Sequence, residues 1–189
     1  WKPVLDEIIL YEPILDIEKL KKNEYSIGGI SIKTSKNSSA ANWLLNQDEI
    51  IIINGKIKWS DRTRNAPPLI IEKISATYES AVNLSYLNRS NFNINGELPN
   101  LNNQKINING YFDSFSIEKI KSSTGQLTLS AAKVDINKFK PWVDYPAEII
   151  SATGDIDIRV DFSDGRVNQV DSQLDLRNFV TKIIESNEE

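Results

Sequence analysis

Histidine, cysteine and methionine are all missing from this chain of 189 residues. Without His or Cys, Ser-His-Asp and Cys-His nucleophiles are impossible within it, as are the common zinc sites. No disulfide framework or thiolate chemistry is available, and cysteine usage says nothing of the redox compartment. The missing Met predicts an excised or processed segment of something longer. No apolar run approaches the ~20 residues of a spanning helix; the longest aliphatic one is Ile50 to Ile53. Trp1 to Leu10 does not read as a signal peptide, so any anchor or export signal is expected outside the segment. Clustered positive charge is absent too. The 22 Lys and Arg are dispersed among 26 Asp and Glu for a net charge of -4, which argues against duplex nucleic acid as a partner.

What the chain does have is alternation. Gly154, Ile156, Ile158, Val160 and Phe162 occupy even positions, with Asp155, Asp157, Arg159 and Asp161 between them. Phe92 and Ile94, Ile106 and Ile108, and Leu127, Leu129 and Ala131 repeat the pattern. A period of two means strands with one dry and one wet face. Asp164-Gly165 predicts a hairpin returning through Val170, Leu174 and Leu176. The parity change between Ile71 and Ile74 suggests a bulge, and the one between Ala131 and Val134 suits a bulge or a strand end. Pro13 belongs on an edge or at a bulge because proline cannot donate to a ladder.

Residues 1–35 read as a ragged N-terminal hairpin turning near Asn23, with further strands across 48–182, Leu84 and Tyr86 among them. Ser38 or Ser39 would cap a short helix over 38–46 carrying Trp43, Leu44 and Leu45. A second helical turn is expected near 137–144, and 185–189 is a polar tail that should fray. Asn54-Gly55 fits either a tight turn, pairing Glu49 to Ile53 with Lys56 to Ser60, or a bulge within one long strand. On the turn reading, one parity of Ile50 to Ile53 faces the sheet's apolar side and the other lies under the short helix.

Local chemistry is sparse. Asp155, Asp157, Asp161 and Asp164 would suit Ca²⁺ as oxygen donors, but strand period places the first three on a solvated face, and the spacing is not that of an EF-hand loop. Trp43, Trp59 and Trp142 would form either a ligand shelf or core packing. Lys56, Lys58, Arg62 and Arg64 form a small basic group suited to acidic headgroups or simply to water. Gly28-Gly29 reads as a turn or bulge, since no phosphate-binding GxxxxGK[ST] is present. No carboxylate constellation supports a hydrolase or lyase, so the chain is read as non-catalytic, with no metal and no cofactor.

The stretch WLLNQDEIIIINGKIKWSDRTRNAPPLIIEKI resembles the recurring segment of the YhdP-type branch of the AsmA-like family: a leucine-rich helix, a strand, an Asn-Gly, a basic-aromatic strand ending in Asp, and a Pro-Pro-Leu return strand. KVDINKFKPWV and ATGDIDIRVDFSDGRVNQVDSQLDLRNF are similar to that family's next landmarks, in order, and WKPVLDEIILYEPILDIEKL to its strand entered through a proline. The turn near Asn23 lacks the family's frequent Asp-Gly, and its Arg-rich positions are mostly Lys here. The resemblance implies a periplasmic segment of an envelope protein anchored in the inner membrane of a Gram-negative bacterium. Its implied activity is bridge-like lipid transport, with phospholipid acyl chains moving along an apolar trough toward the outer membrane.

The residues agree with that picture. A one-sided sheet must hide its apolar face, and this chain has little helix with which to do so. The expected fold is therefore mainly β: a long, curved antiparallel sheet forming a trough or half-open groove, with a closed β-sandwich as the alternative. Expected lipid-lining positions are Phe92, Ile106, Ile108, Leu127, Leu129, Ile156, Ile158, Val160 and Phe162. The alternative function is a non-catalytic envelope scaffold that binds partner proteins by edge-strand pairing.

Overall fold

The computed structural model describes residues 5–21, 24–31, 43–44, 46–80, 89–113, 122–144, 148–164 and 166–182. They form one open sheet of eleven strands. The strands are β1 (Glu7–Tyr11), β2 (Ile14–Lys21), β3 (Glu24–Ile27), β4 (Ile30–Ser31), β5 (Glu49–Asp61), β6 (Leu69–Glu79), β7 (Ser90–Leu98), β8 (Gln104–Phe112), β9 (Gly125–Asp135), β10 (Glu148–Ser163) and β11 (Arg166–Lys182). Ten follow the order β11-β10-β9-β8-β7-β6-β5-β2-β3-β4, and β1 pairs beside β2 on the same edge of β5. From β5 to β11 each strand pairs antiparallel with the next. Among the described residues the sheet does not close on itself and no second sheet covers it, which overturns the closed sandwich: from β5 to β11 each described strand pairs with the next, and none crosses to an opposing layer.

The N-terminal region departs from a simple hairpin. β2 and β3 pair antiparallel, but β1 and β2 both run parallel to β5, β1 along Glu49 to Ile53 and β2 along Lys56 to Asp61. A parallel pair needs a long crossover, and the chain between β4 and β5 supplies it. Asn54-Gly55 therefore does not turn the chain. Tyr11 lies opposite Ile53 and Ile14 opposite Lys56, so both lines carry two residues through the break, Glu12-Pro13 on one side and Asn54-Gly55 on the other. Ladder bonds continue across it, from Glu12 N to the Ile53 carbonyl (2.8 Å) and from Lys56 N to the Pro13 carbonyl (2.9 Å).

Both parity changes prove to be bulges, and at Ala131 the strand continues and does not end. In β6 the register slips between Glu72 and Ser75 around Lys73, at φ 51°. In β9 it slips between Ala131 and Val134 around Lys133, at φ 58°, whose N–H donates to Asp155 Oδ1 (2.7 Å). Each extra residue returns the following apolar side chain to its original face and adds local twist. The Asp164-Gly165 hairpin has Ser163 opposite Arg166, leaving two residues in the connection.

Near 137–144 the chain forms a 3-10 turn, Ile136–Phe139, rather than an α-helix. The helix expected over 38–46 lies mostly outside the described residues; Trp43 and Leu44 are helical, and their carbonyls accept from Asn46 N and Gln47 N. Contact between that helix and the isoleucine run, the strand at Leu84 and Tyr86, and the tail 185–189 also lie outside the described residues.

Candidate functional site

Residues directly opposite one another in a ladder share a face, so the register sorts the side chains. One row runs Ile52, Ala76, Ile94, Ile108, Leu129, Ile158 across β5 to β10, a span of about 24 Å at the usual strand spacing. A parallel row runs Ile50, Tyr78, Phe92, Gly110, Leu127, Val160. A third contains Gly96, Ile106, Ala131 and Ile156. Phe162 sits opposite Gly125, and Gly125 opposite Phe112. All nine expected lining positions thus stand on one face. Sequence reading left out Ile94, whose parity with Phe92 carried the signal, and Tyr78 and Phe112, which stack at a centroid distance of 6.2 Å.

Two glycines shape this face. A Cβ on Gly110 would meet the Phe92 ring at 3.0 Å, and one on Gly125 the Phe162 ring at 2.7 Å. Each phenyl ring lies over a neighbouring strand's glycine, filling the space a side chain would occupy.

The face is unevenly covered. Leu98, Leu101, Ile106, Ala131 and Val134 form a buried cluster, with Val134 fully enclosed. The turn residues Phe139 and Trp142 pack against it, together with Leu69, Ile71, Ile108 and Ile156. Beyond that end, Phe92, Ile94, Leu127, Leu129, Ile158, Val160 and Phe162 are only half-buried. β11 extends the exposed surface with Val167, Val170 and Leu174, all at least half open to solvent.

The opposite face is polar. Asn95 Nδ2 donates to Asn93 Oδ1 (2.7 Å), Asn107 Nδ2 to Asn95 Oδ1 (2.8 Å) and Asn109 Nδ2 to Asn107 Oδ1 (2.8 Å). Further along, Gln126 Nε2 donates to Asp161 (2.7 Å) and Arg159 pairs with Asp171 (2.5 Å). The expected charged strand face of β10 is therefore tied into neighbouring strands. Shallow depressions open on this side, one of about 440 Å³ lined by Thr128, Asp157, Arg159, Gln169 and Asp171 among others.

The three tryptophans do not make one shelf. Trp59 tilts against Tyr25 at 6.1 Å, whereas Trp142 meets Phe139 edge-on at 6.3 Å and donates Nε1–H to the Pro67 carbonyl (2.9 Å). Trp43 accepts a bond from Gln47 Nε2 through its carbonyl, and Gln47 Oε1 receives Leu5 N–H at 2.7 Å. In the basic group, Lys56 pairs with Glu72 (2.7 Å), Arg62 with Glu18 (2.5 Å) and Arg64 with Asp144 (2.6 Å). Those cations serve intramolecular ties.

Among the described residues, Asp61 is the most perturbed acid. Its carboxylate accepts from the Thr63 hydroxyl (2.5 Å) and from Lys19 Nζ (2.9 Å), which together hold its pKa down at about 2 against the cost of burial. A carboxylate held charged by a turn residue and a lysine is a structural clasp and a poor proton donor. Among the described residues, no group of three or more His, Cys, Asp or Glu side chains gathers around a point where a metal would sit. None of the described helical segments is long and apolar enough to cross a membrane.

The architecture is thus an open sheet with one polar, laced face and one apolar face exposed over much of its length. Comparison with curated proteins and with solved structures finds no match for this chain. The YhdP protein family model matches residues 1–189, the whole chain, and the chain therefore belongs to the YhdP family.

Proposed function

We propose that this chain is a periplasmic segment of a lipid-transfer protein, and that its apolar face holds phospholipid acyl chains during transport between the inner and outer membranes. The observation that carries the reading is the continuous row from Ile52 to Ile158, apolar on six successive strands and only partly covered. Covering acyl methylenes contributes about 0.8 kcal/mol each. A few rows of branched side chains therefore retain a tail without any directional bond, and sliding from strand to strand breaks no hydrogen bond. Membership in the YhdP family supports the envelope setting. The transfer needs no bond-breaking step, and the role assigned to Phe92, Ile106, Ile108, Leu127, Leu129, Ile156, Ile158, Val160 and Phe162 is to line the path.

The test is Ile158→Asp in the full-length protein. A carboxylate at the β10 end of the row should abolish phospholipid co-purification, measured by native mass spectrometry and lipid extraction, while the circular-dichroism spectrum stays that of the folded sheet. Wild-type protein free of lipid would sink the reading. One observation favours a scaffold instead: among the described strands, β11 pairs only with β10 and leaves its other edge open over 17 residues. If proline substitutions along β11 abolish partner capture while Ile158→Asp leaves function intact, edge-strand pairing is the activity.

A further inference from the structure

The ends of the strands on one side of the sheet carry the β5–β6, β7–β8 and β9–β10 connections. The β9–β10 connection does not stay with its own strands. Arg64, in the β5–β6 loop, grips Asp144 with both terminal guanidinium nitrogens, Nη1 to Oδ1 at 2.9 Å and Nη2 to Oδ2 at 2.6 Å. Arg64 Nε also lies 3.7 Å from the clasped carboxylate of Asp61. Trp142 Nε1–H reaches the Pro67 carbonyl of the same loop. Residues 75 to 80 apart in sequence are thus joined across the ends of β8 and β7.

We propose that Ile136 to Asp144 is a strap whose latch is the Arg64–Asp144 pair, and that the strap sets how much of the apolar face a lipid reaches. Held down, it keeps Phe139 and Trp142 over the buried cluster around Val134 and Leu98, so acyl chains are confined to the half-buried rows beyond. Released, it uncovers that cluster and widens the path. The strap is suited to opening. Its Trp142 and Val143 amides both donate to the single Phe139 carbonyl, and its far end is held by one exposed bidentate pair and one indole hydrogen bond. A bidentate arginine–carboxylate is the geometry in which a surface pair contributes measurably. The lipid part of this inference rests on the function proposed above; the latch does not.

The experiment uses the full-length protein as wild type, Arg64→Ala, Asp144→Asn and the exchanged pair Arg64→Asp/Asp144→Arg. Hydrogen exchange at the Trp142 and Val143 amides should quicken roughly two- to five-fold in each single variant, the range expected for losing a surface pair of good geometry. It should slow again in the exchanged pair. After equilibration with phosphatidylethanolamine and phosphatidylglycerol vesicles, native mass spectrometry should count more phospholipid per chain in the single variants than in wild type. Unchanged exchange overturns the latch. Faster exchange with an unchanged lipid count overturns the claim that the strap bounds the path. A wild-type protein that takes up no lipid removes the boundary along with the proposed function and leaves the exchange result to judge the latch alone.

Discussion

Asn54 Nδ2 donates to Glu12 Oε1 over 3.0 Å, and both residues hold positive φ, 56° and 52°. They sit opposite one another at the break shared by β5 and the β1–β2 line, so two parallel strands kink together without losing register. Asn tolerates the left-handed region through its short polar side chain, whereas Glu does so at a cost.

That contrast makes a prediction. Asn54→Val should destabilise the protein by about 1–2 kcal/mol, since a β-branched residue is strongly disfavoured at this φ. Glu12→Gly should be neutral or stabilising, because relief of backbone strain outweighs one exposed hydrogen bond. Chemical-denaturation midpoints of the two variants measure the difference; equal losses in both would show that the hydrogen bond, and not the backbone, holds the kink.

The uneven cover of the apolar face predicts different responses along it. Leu98, only 2% exposed, should lose about 2–5 kcal/mol on replacement by Ala, the range for a buried leucine. Leu129, half-buried, should lose distinctly less in the same measurement, because little packing surrounds it to leave a void. A Leu129→Ala loss as large as that of Leu98→Ala would mean the central rows are a closed core.

Acid should weaken the sheet through its clasped carboxylates. The folded pKa of Asp61 is about 2, below its ordinary 3.8, so its contribution is fully present above about pH 4 and disappears as pH falls through 2. Asp144, held down by Arg64, and Glu97, held down by Lys73, act in the same direction. Asp61→Asn should flatten stability against pH between 4 and 2. Denaturant midpoints at several pH values test this.

Much of the fold was legible from period and parity. The register places all nine proposed lining residues on one face because side chains alternate strictly along a strand, and the parity changes near Lys73 and Lys133 did mark bulges. The Trp residues were harder. Their size says that they pack, but Trp142 meets Phe139 three residues away and bonds Pro67 seventy-five residues away. Nothing local to Pro67 announces that bond. Arg64 and Asp144 were equally silent, since an exposed arginine and an exposed aspartate look alike whether or not they meet.

By itself, the sequence determined that the chain builds a sheet with one greasy face, that it has no thiol or imidazole chemistry, and that Asp164-Gly165 reverses β10 into β11. Each follows from side-chain chemistry or from contacts within a few residues. Only the tertiary structure decided whether Asn54-Gly55 turns the chain or kinks it. Both outcomes satisfy the same preference for positive φ, and the choice belongs to partners over forty residues away, in β1 and β2. Which rows are sealed and which stay open was likewise settled at long range, where the β9–β10 connection reaches across two strands to Arg64 and Pro67.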